Sequence, residues 1–91
     1  MSNTSRIPVL GRGVRLRHDK VRDSWVLLAP ERIFKLDAIG HAILEQVDGQ
    51  HSEADIVATL AALYKADNAR IGADVASFLD SLQQRRVLEF L

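Results

Sequence analysis

Between Val14 and Leu36 the apolar positions recur every second residue, and beyond Asp37 they recur every third or fourth, which predicts strands first and helices after. Val14, Leu16 and His18 fall on one side of an extended chain and Arg15 and Arg17 on the other, the pattern of a half-buried strand. Asp19 to Asp23 (DKVRD) supplies turn-tolerant polar residues. Ser24 to Ala29 (SWVLLA) is apolar on both faces and rich in aromatic and β-branched side chains, predicting a central strand that pairs back antiparallel. Pro30 cannot donate to a ladder and holds Ala29 extended, so it predicts a bend. Glu31 to Leu36 (ERIFKL) then forms a third, shorter strand, with Phe34 and Leu36 toward the core and Arg32 on the same side, where its stem can snorkel. With the strands in the order one, two, three, the third keeps an unpaired edge.

Asp37 reads as a helix N-cap, followed by Ile39, Ile43, Leu44 and Val47 at helical spacing and closed by Asp48-Gly49. Gly40 inside this helix costs about 1 kcal/mol against alanine, and therefore marks a close-packing point where another backbone approaches. Ser52, with Asp55 three residues on, is a capping-box pattern. The helix it opens has Ile56, Val57, Leu60, Leu63 and Tyr64 on its inner stripe. After the break at KADNAR, a third amphipathic helix carries Ile71, Val75, Phe78, Leu79 and Leu82 and runs out near Arg85 and Arg86. The closing VLEFL alternates weakly and reads either as a short strand or as a cap on the core.

Residues 1–13 show little periodicity and read as a flexible N-terminal arm, tied down by Ile7, Val9 and Leu10 at most. The remaining 14–91 form one domain. Three strands followed by three helices, without βαβ alternation, define an α+β fold: an N-terminal three-stranded antiparallel sheet followed by three helices, winged helix-turn-helix-like.

Composition narrows the function classes more than it names one. The chain has 91 residues and no cysteine, enough for a modest core without a disulfide framework or a thiolate metal site. Its start lacks the basic-then-apolar plan of a signal peptide. The longest apolar run, Trp25 to Ala29, falls far short of the roughly 18 residues of a membrane span. A cytoplasmic protein without a membrane partner is expected. The net charge is zero, yet residues 1–35 hold eight Lys/Arg against three Asp/Glu, and residues 36–91 hold four against nine. Such polarity can orient a partner or let two copies meet, although it reads first as an ordinary solvated surface.

Catalytic and metal chemistry find no seat. His18, His41 and His51 lack a partner His at i+3 or i+4, and no serine sits in a nucleophile-elbow motif. Gly11 and Gly13 form GRG, which has neither the Walker lysine nor the third glycine of a dinucleotide loop, and reads as a turn. No cofactor and no catalytic residue are expected. A winged-helix DNA reader is the alternative. Its third helix, however, would turn Asp74, Ser77, Asp80, Ser81 and Gln84 outward, with Arg70, Arg85 and Arg86 only at the ends, and carboxylates repel a polyanion. No nucleic-acid partner is therefore expected. What remains is a polypeptide, added as a strand to the free edge of the third strand with the third helix as the facing wall. The alternatives are that Arg32 and Lys35 merely blunt this edge, or that it pairs with a second copy as a homodimer.

The stretch HDKVRDSWVLLAPERIFKLDAIGHAILEQVDG, above all Val21 to Gly49, resembles the PqqD family of pyrroloquinoline quinone biosynthesis. The carrying features are Trp25 to Arg32, the step from Leu36 to Asp37, Ala42 to Leu44, Asp48-Gly49, Ile56 and Asp74-Val75, and the likeness runs from about Val14 to Leu88. Members often carry Asn where Asp37 stands, and Gly near Arg86. The resemblance implies a peptide chaperone, a recognition element for ribosomally made peptides. It implies binding of the leader of the precursor peptide PqqA and its presentation to the radical S-adenosylmethionine enzyme PqqE, whose iron–sulfur clusters do the chemistry. Carried onto this chain, Arg32, Ile33, Phe34, Lys35 and Leu36 line the guest strand, and Val75, Phe78, Leu79 and Leu82 build the opposite wall.

Overall fold

The computed structural model describes residues 6–91. Strand β1 (Pro8–Leu10) leads into β2 (Arg15–Asp19), β3 (Ser24–Ala29) and β4 (Arg32–Leu36). Helices α1 (Ala38–Glu45), α2 (Glu53–Tyr64) and α3 (Asn68–Gln84) follow, and β5 (Leu88–Phe90) closes the chain. The fold is α+β and winged-helix-like, with β2, β3 and β4 forming an antiparallel sheet in that order.

The register fixes the two faces of this sheet. Leu16, Leu27 and Phe34 lie side by side across it, as do His18, Trp25 and Leu36, and Leu27 on this face is fully buried in the core. Arg17, Val26 and Lys35, with Arg15, Leu28 and Ile33, occupy the other face. A tight two-residue turn joins β3 to β4 at Pro30-Glu31, where Glu31 takes a positive φ of 66°. Two of the three histidines that lack a histidine partner in sequence have an aromatic one: Trp25 stacks on His41 with ring centroids 4.1 Å apart and lies 5.0 Å from His18.

The local helix signals operate as read. Asp37 Oδ1 accepts from Gly40 N at 2.7 Å, and Ser52 and Asp55 exchange both bonds of the capping box. Helix α1 stops at Glu45 rather than carrying Val47, because Gln46 and Val47 donate only three residues back, to Ile43 and Leu44. The Asp48 carboxylate accepts from the main-chain N–H groups of His51 and Gln50, which hold its pKa below the usual carboxylate range. On α2 the buried residues are Glu53, Ile56, Leu60 and Ala61, whereas Leu63 and Tyr64 are exposed. The expected inner stripe fails there because the last turn of α2 overhangs the core.

Gly40 is a close-packing point, but what approaches is a side chain. An added Cβ would stand 3.1 Å from Phe78 Cε1 and 3.1 Å from Asp37 Oδ1. Beneath it, Ile43, Leu44, Ile56, Leu60, Val75 and Leu79 join Leu27 in one core.

The segment read as an arm is engaged from Arg6 onward, while the play expected of residues 1–5 lies outside the described residues. Strand β1 pairs antiparallel with β5, Val9 opposite Glu89. Leu91 N donates to Ile7 O, and Gly11 N to Val87 O. Arg6 donates through Nε to Glu53 at 2.7 Å and through Nη2 to Asp80 at 2.6 Å, and its guanidinium lies 3.9 Å from the Phe90 ring centroid. Burial works against the Arg6 charge, but the hydrogen bonds and charges of Glu53 and Asp80 raise its pKa above the ordinary arginine value. A pairing between chain ends leaves no periodic trace in either short segment, so sequence shows only the loose composition.

Candidate functional site

The C-terminal strand decides which sheet edge stays open. Because β5 pairs with β1, strand β4 has β3 as its one partner among the described residues. The two-residue turn makes Ala29 and Arg32 a hydrogen-bonded pair. Alternation then directs the N–H and C=O groups of Arg32, Phe34 and Leu36 to β3, and those of Ile33 and Lys35 away from the sheet. Of the strand residues named from sequence, Ile33 and Lys35 therefore offer the outward donors and acceptors. The Ile33 side chain is 68% exposed on the far face, while Phe34 and Leu36 point inward and are half-buried.

Helix α3 runs beside this edge, with its C-terminus next to the start of β4. Arg32 Nη2 donates to Arg85 O, the C-cap carbonyl of α3, at 2.6 Å. Both guanidinium groups lie near the Phe34 ring, at 5.4 Å for Arg32 and 5.5 Å for Arg85. Toward the other end of β4, a cleft opens between α1 and α3, lined by Asp37, Ile39, Gly40, Asp74, Ser77, Phe78 and Ser81.

The helix residues named as the wall separate into two groups. Val75, Leu79 and Leu82 are buried in the core, whereas Phe78 lines the cleft together with Asp74, Ser77 and Ser81. Helical spacing correctly collects an apolar stripe, but the core consumes the centre of that stripe and only its border, Phe78, reaches the cleft. In sequence Asp74, Ser77 and Ser81 belong to the polar outer face and Arg85 is a helix-end cation. The signal that groups them is the step of three or four residues from Asp74 to Ser77 and Phe78, on to Ser81 and then Arg85, along one side of α3.

The outer sheet face, with Val26, Leu28 and Ile33 among Arg15, Arg17 and Lys35, also has concave surface, and the hollow beside the Pro30 turn, about 890 Å³, is larger than the α1–α3 cleft of about 470 Å³. It is lined by the sheet and its turns alone, so it lacks a second wall. Among the described residues no group of three or more His, Cys, Asp or Glu is placed to hold a metal ion. No helix among them is long and apolar enough to cross a membrane.

A winged-helix-like α+β domain with an open strand edge beside its third helix is the class that fold and site define. The family model described as Coenzyme PQQ synthesis protein D (PqqD) matches residues 24–88. The chain belongs to the PqqD family. It is 51% identical over 81 residues to the PqqA binding protein of Xanthomonas euvesicatoria pv. vesicatoria (strain 85-10), covering 89% of this chain and 88% of that protein. The solution structure of the PqqD truncation of Methylobacterium extorquens PqqCD, described as a stand-alone recognition element for ribosomally synthesized and modified peptides, is 49% identical. It superposes with a TM-score of 0.82, covering 97% of this chain and 93% of that one. TbiB1 in complex with the TbiA(beta) leader peptide is 28% identical with a TM-score of 0.77, covering 89% and 94%.

Proposed function

We propose that this protein binds the leader of the precursor peptide PqqA as an added strand on β4, facing α3. It presents the peptide to the radical S-adenosylmethionine enzyme PqqE, in pyrroloquinoline quinone synthesis in the cytoplasm. The observation that carries the reading is the open β4 edge, with Ile33 and Lys35 directing their main-chain groups away from β3 and with Arg32 at its start bonded to the C-cap of α3. Main-chain bonds along such an edge supply affinity, and side-chain pockets supply selectivity. The name of the Xanthomonas relative and the leader complex of TbiB1 support the same reading. In it the unit over 14–91 does the binding, the Arg6–Leu10 segment braces it, and the chemistry belongs to PqqE. A second copy can pair on the same edge, in competition with the peptide.

Cross-linking of full-length PqqA by purified PqqE, followed by mass spectrometry with and without this protein, tests the proposal. Product is expected to rise with the protein up to stoichiometry with the peptide. Equal product at every concentration would overturn it.

A further inference from the structure

Two cations share one aromatic ring at the start of β4, at the end of the strand away from the α1–α3 cleft. Arg32 comes from the edge strand and Arg85 from the cap of α3, and their guanidinium carbons lie 5.4 and 5.5 Å from the Phe34 centroid. Neither is among the ion pairs within 4.0 Å in the described residues. Each guanidinium has five N–H donors, and the Arg85 carbonyl occupies only one set on Arg32. Two cations without a carboxylate partner leave N–H donors free, and an arriving carboxylate gains charge-assisted bonds there.

The opposite end has the opposite sign. Asp37 and Asp74 line the cleft with Ser77 and Phe78, and no Lys, Arg or His nitrogen lies within 4.0 Å of either carboxylate among the described residues. Asp37 Oδ1 is occupied by Gly40 N. In chain order Phe34 falls between Arg32 and Asp37, and Phe78 between Asp74 and Arg85. The two walls also match in length: Asp74 to Arg85 rises about 16 Å along α3, and Arg32 to Asp37 about 17 Å along the strand.

We infer that the surface along the β4 edge, from the Arg32–Arg85 pair to the α1–α3 cleft, reads charge as well as shape. Its occupant is an extended segment with a carboxylate side chain at position i on Arg32 and Arg85, an apolar side chain near i+2 over Phe34 and Phe78, and a cationic side chain near i+4 at Asp37 and Asp74, counted along β4 from Arg32. Side chains two apart share a face of a strand, so this spacing places all three on the helix side. The two charged ends also set the direction in which the guest runs. This deepens the proposed leader binding and rests on it.

The test uses a fluorescein-labelled synthetic PqqA leader and fluorescence anisotropy, with thermal melts confirming that each variant is folded. Arg85→Glu is expected to weaken binding at least tenfold, with Arg85→Gln intermediate. One Asp or Glu of the leader, changed to Lys, should restore most of the affinity to Arg85→Glu. Asp74→Lys should be rescued by reversing one cation about four residues from that acid. Affinity of Arg85→Glu within twofold of the parent, or equal rescue by carboxylates scattered along the leader, would overturn the inference. If the parent complex perturbs the Ile33 and Lys35 amides yet ignores these reversals, the charge reading alone fails. If the leader does not bind the parent protein at all, both readings fail.

Discussion

The Phe78 ring on α3 rests against Gly40 of α1, where an added Cβ would come within 3.1 Å of Cε1 and 3.2 Å of Cζ. Alanine at this position gains about 1 kcal/mol in helix propensity, while the half-buried ring must shift to admit the methyl group. Gly40→Ala is therefore expected to unfold within about 1 kcal/mol of the parent but to bind the leader several-fold more weakly, because the displaced ring narrows the cleft. Denaturation midpoints and anisotropy check the two halves separately. Unchanged affinity would place Phe78 outside the binding surface.

The alternation along β4 separates two proline substitutions that look alike in sequence. Lys35 directs its N–H away from β3 and Phe34 directs its own toward β3. Lys35→Pro removes an outward donor and no ladder bond, so it should stay folded and lose at least tenfold in leader affinity. Phe34→Pro removes a ladder donor and a core-facing ring together, and should not fold. Circular dichroism and anisotropy decide, and a folded Lys35→Pro with parental affinity would refute the register.

Arg6 holds a charge in place that water does not reach. The Glu53 side chain is 5% exposed and its Oε1 is bonded to Arg6 Nε at 2.7 Å. Arg6→Ala strands this carboxylate and should cost about 3 kcal/mol. Replacing both members, Arg6→Met with Glu53→Met, should recover most of the loss, since hydrophobic residues of similar volume replace a buried pair at little net cost. Urea unfolding of the single and double variants gives the comparison.

Much of this fold is legible in sequence where the signal is local. Asp37, Ser52 and Asp55 cap helices through residues three apart, and the β2–β3–β4 meander follows from two-residue periodicity with Pro30 at the bend. The β1–β5 pairing was not legible, because it joins opposite ends of the chain through two three-residue strands. The site was half legible. Strand position marked β4 as the edge, but which of its residues turn outward depends on the turn at Pro30-Glu31. On α3, Val75, Leu79 and Leu82 were separable from Phe78 only once the core was seen to use up the middle of the stripe.

Arg86 sits in a backbone conformation that a side chain disfavours. Its φ is 63°, in the left-handed region that favours glycine, at the turn before β5. Arg86→Gly relieves that strain at some cost in chain entropy, and is expected to leave the protein equally stable or up to about 1 kcal/mol more so. Arg86→Val, β-branched in the same conformation, should be destabilised by about 1 to 2 kcal/mol. Melting temperatures of the two variants test the sign.

Amide hydrogen exchange on the protein with and without bound PqqA leader tests the central claim most directly. The N–H groups of Arg32, Phe34 and Leu36 should be protected in both states, and those of Ile33 and Lys35 should exchange readily in the free protein and become protected only in the complex. Saturating peptide that leaves Ile33 and Lys35 exchanging at their free rates would contradict strand addition on β4.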